Sequence, residues 1–234
     1  MSEEQHTHIL SNFDKAIAQT RDDISQMASL TKENLELAVR GMIERDSDLC
    51  NRVIANDDTI DHLEMKIDKE GMQSIVLYQP VASDLRNLVS IMKLSSNLER
   101  VADLAVGIAK RGRKMNKNAE LPQVKLIDPV VEQAISLFSD SLDAFFAGQV
   151  DSSLEIVERD DALDKTHKEV TKALTKQMEE EPERIKDYLD LIFTVRFLER
   201  VGDHAKNIAE ESVFLQSAQD IRHGADRSSL EQPD

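Results

Sequence analysis

Leu98-Glu99-Arg100-Val101-Ala102-Asp103 returns a hundred residues later as Leu198-Glu199-Arg200-Val201-Gly202-Asp203, and Ala105/Ala205, Ile108/Ile208 and Ala109/Ala209 keep the same register. A second pair of blocks, Asn56-Asp57-Asp58-Thr59-Ile60-Asp61 and Arg159-Asp160-Asp161-Ala162-Leu163-Asp164, agrees at an offset of 103, from Asp57 to Asp160. Two blocks matching in the same order mark a tandem duplication. Within the first copy Ile91, Leu94, Leu98, Val101, Ala105 and Ile108 follow one another at intervals of 3, 4, 3, 4 and 3, the seam of a helix packed in a bundle. Leu191, Thr194, Leu198, Val201, Ala205 and Ile208 repeat the seam in the second copy.

Outward from these blocks the punctuation is sparse. Pro80, the stretch Asn116 to Pro122, Gly148, and Glu180 to Pro182 cut the chain into helical segments over 12–45, 47–78, 81–115, 123–147, 151–178 and 183–217. Only 7 Gly and 5 Pro occur in 234 residues, where average usage gives about 16 and 12. With no Trp and 4% aromatics the composition is unlike a β-sandwich. The expected fold is all-α: two tandem three-helix bundles, six long antiparallel helices related by the repeat. At ~1.5 Å per residue the longer helices run about 50 Å, which makes the molecule elongated. The units span 12–115 and 123–217, with 1–8 and 218–234 read as flexible tails.

Lys and Arg number 29 against 45 Asp and Glu, a formal charge of −16, which works against a phosphate-neutralising nucleic-acid surface. The start, MSEEQHTHIL, carries acids where a signal peptide needs a basic and then an apolar run, and no window approaches the ~18 apolar residues of a membrane span. A cytoplasmic protein is expected. The single Cys50 has no partner for a disulfide and no zinc-like spacing, and reads as a core or semi-buried residue.

The acidic residues of the repeated blocks are placed more specifically. On a helical wheel Glu99 and Asp103 fall roughly 120–160° from the Ile91 to Ile108 seam, and Asp57 and Asp61 about 80–120° from the Val53/Ile60/Leu63/Ile67 stripe, so both pairs are expected on the outward side. Folding the second and third segments into a hairpin about Pro80 sets Asp61 level with Glu99 and Asp57 level with Asp103, since both pairs have their midpoint at 80. Asp164 with Glu199 and Asp160 with Asp203 share a midpoint of 181.5, beside Pro182. Four like charges at one level repel unless a cation or protons intervene. The bland alternative is a solvated acidic face. Against it stands the recurrence of two level pairs in both halves, so Asp57, Asp61, Glu99, Asp103, Asp160, Asp164, Glu199 and Asp203 are the candidate metal ligands. Oxygen-only donors suit hard or intermediate cations over a thiolate-type zinc site.

Other features weigh less. Asp164-x-x-His167 and Asp203-His204 offer imidazoles, but a surface histidine without such a role is the better expectation. Lys110, Arg111, Arg113, Lys114 and Lys117 form a basic run best explained as cations at a helix C-terminus rather than as a docking patch. Eight methionines among leucines read as core filler. Phosphate-cradling glycine loops, nucleophile elbows and supported Cys/His pairs are absent, and no enzyme is expected. The alternative reading, a metal-carboxylate helical-bundle enzyme or metal-storage protein, would need its ligands facing inward.

Taken together these residues resemble the PhoU family. The resemblance rests on the four Asp/Glu-x-x-x-Asp pairs, on Gln79-Pro80-Val81-Ala82-Ser83-Asp84-Leu85-Arg86, on both Leu-Glu-Arg-Val-x-Asp blocks and on Ile221-Arg222-His223, and covers nearly the whole chain. It implies a cytoplasmic, often dimeric regulator without catalysis, coupling the ATPase subunit of a phosphate ABC transporter to a phosphate-sensing histidine kinase. Such a protein represses the phosphate-starvation response when phosphate is plentiful and meets the membrane only peripherally through its partners. It also implies multinuclear metal clusters, of iron, manganese, magnesium or zinc, on the paired acidic motifs. Gly107 stands where the second copy has Asn207, so the two sites need not be equivalent in occupancy.

Overall fold

Each break is built by a local device. The structure, a computed structural model, describes residues 3–222, with side chains from Asn12 onward. Six helices carry it: α1 (Glu3–Ile43), α2 (Ser47–Tyr78), α3 (Ala82–Met115), α4 (Asp128–Ala147), α5 (Val150–Glu180) and α6 (Ile185–Ser217). Among the described residues there is no strand. Asp46 caps α2, its carboxylate accepting from the amides of Asp48 at 2.8 Å and Leu49 at 3.1 Å. Gln79 ends the same helix in the left-handed region (φ 47), its N–H bonded to the Ile75 carbonyl, and Pro80 then forbids continuation. Gly148 ends α4 at φ 66, a conformation that costs glycine nothing. Two boundaries differ from the sequence reading because proline opens a tighter turn: Pro122–Ile127 and Pro182–Arg184 are 3₁₀ turns, so α4 begins at Asp128 and α6 at Ile185.

The expected tails are described only in part. The backbone is already helical from Glu3. Ala218 (φ 59) turns the chain back and Ile221 is buried, so 218–222 packs against the body. Residues 1–2 and 223–234 lie outside the described residues.

Helices α1, α2 and α3 pack on one another, as do α4, α5 and α6, and α3 packs on α6. Every residue of the α3 seam is buried, as is every one of its α6 counterparts. The halves share a continuous core across α3 and α6, so the bundles are fused rather than strung in line. Contacts along this spine are antiparallel: Ser90 with Glu211, Asn97 with His204, Arg111 with Asp190. Cys50 is fully buried. Met27, Met42 and Met115 are core residues as expected, whereas Met65 and Met72 are exposed.

Candidate carboxylate centres

The two hairpins, α2–α3 and α5–α6, bring the acidic pairs together at matched levels. In the first, burial raises the Asp57 carboxyl above its ordinary value, and the charges of Asp61 and Asp103 raise it further. Glu99 is raised by burial and then by Asp103, with Asp61 and Glu64 adding to it. Glu99 Oε2 is buried and accepts no hydrogen bond; Arg100 Nε stands 3.3 Å away as an ion pair without hydrogen-bond alignment. Arg100 Nη1 reaches Asp103 at 3.8 Å. Glu64, absent from the sequence candidates, joins this group: burial raises it, and Asp68, Asp61 and Asp103 contribute. The signal for Glu64 was its place one turn beyond Asp61, on the same helix face.

In the second hairpin Glu199 is raised by burial, then by Asp203 and Asp164. Asp203 is raised by burial, then by Asp160 and Asp164. One member departs from the expected outward placement: Asp160 is only 7% exposed. Gly202 causes this. A Cβ there would stand 2.3 Å from Leu163 Cδ2 and 3.4 Å from Asp160 Oδ1, so α5 sits closer to α6 than a side chain would allow. The buried carboxylate is met by Lys206 Nζ at 2.9 Å. The equivalent position in the first copy is Val106, so the first cluster lacks the ammonium that meets Asp160 in the second.

The imidazoles also differ from the sequence expectation. His204 is half-buried: Asn97 Oδ1 lies 3.0 Å from its Nδ1, and burial, with Arg200 and Arg100 nearby, holds it down to about 4. His167 occupies the position of Glu64 in the second copy and is lowered chiefly by burial. It lines a hollow of about 450 Å³ together with Arg196, Glu199, Arg200 and Asp203. The basic run is likewise more than a helix-end effect, for Arg111 and Lys114 grip the buried Asp190 at 2.8 and 2.7 Å.

Among the described residues, no three carboxylate, imidazole or thiol groups stand close enough together to close around one ion as placed. The first cluster nonetheless has the chemistry of a cation site: oxygen donors only, mutual repulsion, and a buried carboxylate oxygen with no hydrogen bond. In the second, an ammonium already stands beside the most buried member.

A family model described as the PhoU domain matches residues 24–112 and again 128–212, once on each three-helix unit. The chain belongs to the PhoU family. Relatives from Pseudomonas putida and Escherichia coli K12 are 34% and 30% identical, each over 92% of this chain and over 85% and 90% of their own lengths. They are named phosphate-specific transport system accessory protein PhoU, the former as a homolog. The crystal structure of PhoU from Pseudomonas aeruginosa superposes with a TM-score of 0.85 at 32% identity, over 88% of this chain and all of that one. A Streptococcus pneumoniae PhoU structure, 24% identical, shares the fold with a TM-score of 0.80. No helix among the described residues is long and apolar enough to cross a membrane.

Proposed function

We propose that the protein is a cytoplasmic, non-catalytic negative regulator of phosphate uptake and of the phosphate-starvation response. Acting as a homodimer, it links the ATPase subunit of the phosphate ABC transporter to the phosphate-sensing histidine kinase by binding alone. The observation that carries this reading is its similarity, across both three-helix units, to proteins named as accessory to phosphate-specific transport. Relaying a transporter state to a kinase requires only differential affinity for two partner states, about 1–3 kcal/mol, which a rigid helical body can supply.

Asp57, Asp61, Glu99 and Asp103 would hold a divalent or trivalent ion in the first half, and Asp160, Asp164, Glu199 and Asp203 in the second. A bound ion supplies positive charge that offsets the repulsion and leaves coordination positions for a partner's oxygens. Asp57, Glu99, Glu199 and Asp203 give up protons reluctantly, as groups awaiting a cation do.

The test is a strain lacking its own copy, with a phosphate-starvation reporter and pull-downs against kinase and transporter ATPase with and without chelator. Wild type silences the reporter in phosphate-rich medium, and Asp103→Asn with Asp203→Asn lowers both bound metal and silencing. A reporter silenced equally without the protein rejects the regulatory reading. Unchanged metal stoichiometry in both variants rejects the ligand assignment.

A further inference from the structure

At one end of the α3–α6 spine an apolar stripe lies open. Ile185, Leu189 and Phe193 are 44, 40 and 42% exposed, and a spacing of four keeps them within one face of α6, each about 40° on from the last. Antiparallel pairing sets the C-terminal basic stretch of α3 against this stripe, with the Arg111 guanidinium 4.2 Å above the Phe193 ring and 5.3 Å from Phe197. Gly107 keeps the groove between the helices deep, since a Cβ there would meet Phe197 at 2.8 Å. The resulting hollow, about 300 Å³, is lined by Gly107, Lys110, Arg111, Lys114, Asp190 and Phe197.

Only part of the positive charge beside the groove is held in ion pairs. Asp190 is buried and already bound to Arg111 and Lys114. Lys110 and Lys117 are exposed, and among the described residues neither lies within 4 Å of a carboxylate, although Lys110 feels the charge of Asp57; Arg113 turns to the other side, donating to Asn51 of α2. A chain of net charge −16 therefore concentrates unpaired cations beside its exposed aromatic and aliphatic stripe.

We propose that this groove docks an acidic amphipathic helix of a partner protein, its apolar ridge on Ile185, Leu189 and Phe193 and its carboxylates toward Lys110 and Lys117. The stripe spans two turns, roughly 12 Å, the length over which a helix presents an i, i+4, i+8 ridge. Charge complementarity selects an acidic helix over a basic one. A lipid surface suits the patch less, because the rest of this acidic chain is repelled by an anionic leaflet. The inference draws on the preceding reading only in that the protein acts by binding. Asp103→Asn and Asp203→Asn test that reading and leave the groove intact, so the two fail separately.

The probe is a labelled synthetic helix with a leucine ridge flanked by glutamates, titrated onto the full chain beside its lysine-flanked counterpart and anionic phosphatidylglycerol vesicles, with amide shift mapping. The glutamate peptide binds with an affinity that falls with salt, shifting Gly107, Lys110, Leu189 and Phe193. Leu189→Gln weakens it by about tenfold and Lys110→Glu by about fivefold. Leu77→Gln, at the exposed α2 end, changes nothing. All three substitutions are at exposed positions, and circular dichroism verifies their folding. Equal binding of the lysine peptide, indifference to both groove variants, vesicle binding that depends on Leu189, or loss of self-association in these variants overturns the proposal.

Discussion

Gly202 stands where the first copy carries Ala102, and that one methyl decides how closely α5 approaches α6. Alanine at 202 gains helix propensity of about 1 kcal/mol. Its methyl would press on Leu163, 1% exposed and without room to turn away, and overpacking of this kind costs about 1–3 kcal/mol. The expected outcome is a net loss of about 1 kcal/mol in urea unfolding, recovered in part when Leu163→Val accompanies it. Lys206 acts on the same carboxylate from the other side. In Lys206→Met, Asp160 loses its partner at 2.9 Å while staying buried, which costs about 1–3 kcal/mol. Added Mn²⁺ should return more stability to this variant than to wild type, because the place of the ammonium is vacated; equal thermal shifts would count against the second centre.

At the scale of elements, the α3–α6 spine is fastened at both ends by an α6 carboxylate held by α3 donors. Asp190 on α6 is held by Arg111 and Lys114 of α3, and Glu211 on α6 takes Ser90 at 2.6 Å and Lys93 at 3.0 Å. Arg111 also covers two phenylalanine rings, so Arg111→Met should cost about 1–3 kcal/mol. Lys114→Met, whose side chain is 59% exposed, should cost under about 1 kcal/mol. Urea midpoints of the two variants check the order. The hairpins were legible in the sequence because a tight turn fixes which residues share a level: Asp57 does feel Asp103, and Glu99 does feel Asp61. Packing of α3 on α6 was not legible, since a seam of buried positions says that a helix is covered but not by which neighbour. The pairing of His204 with Asn97 and the recruitment of Arg111 and Lys114 to Asp190 follow from that unseen contact.

For the whole molecule, the duplication places two acidic clusters on a body that already carries −16, so protons and cations compete for the same oxygens. Carboxyls raised in the folded state bind protons more tightly than in the unfolded chain. Their contribution is full below the ordinary carboxylate range and is lost as pH rises through the raised values. Asp57, Glu64, Glu99, Glu199 and Asp203 are all raised, so the metal-free protein gives up stability at these groups as pH climbs toward neutrality. The lowered His167 and His204 act oppositely, since the unfolded chain takes up protons there first as pH falls below about 6.5. Comparing melting temperatures with and without Mn²⁺ at each pH separates the two, because the histidine contribution is common to both arms when only carboxylates bind the ion. The Mn²⁺-induced rise should be largest near pH 7.5 and shrink toward pH 4, as protons take the raised carboxyls of Asp57, Glu99, Glu199 and Asp203. Asp57→Asn with Asp103→Asn should abolish most of it while raising the stability of the metal-free protein at neutral pH, by removing charge from the repelling group. A Mn²⁺ effect independent of pH, or one surviving that double substitution together with Asp164→Asn and Asp203→Asn, would place the cation elsewhere on the surface.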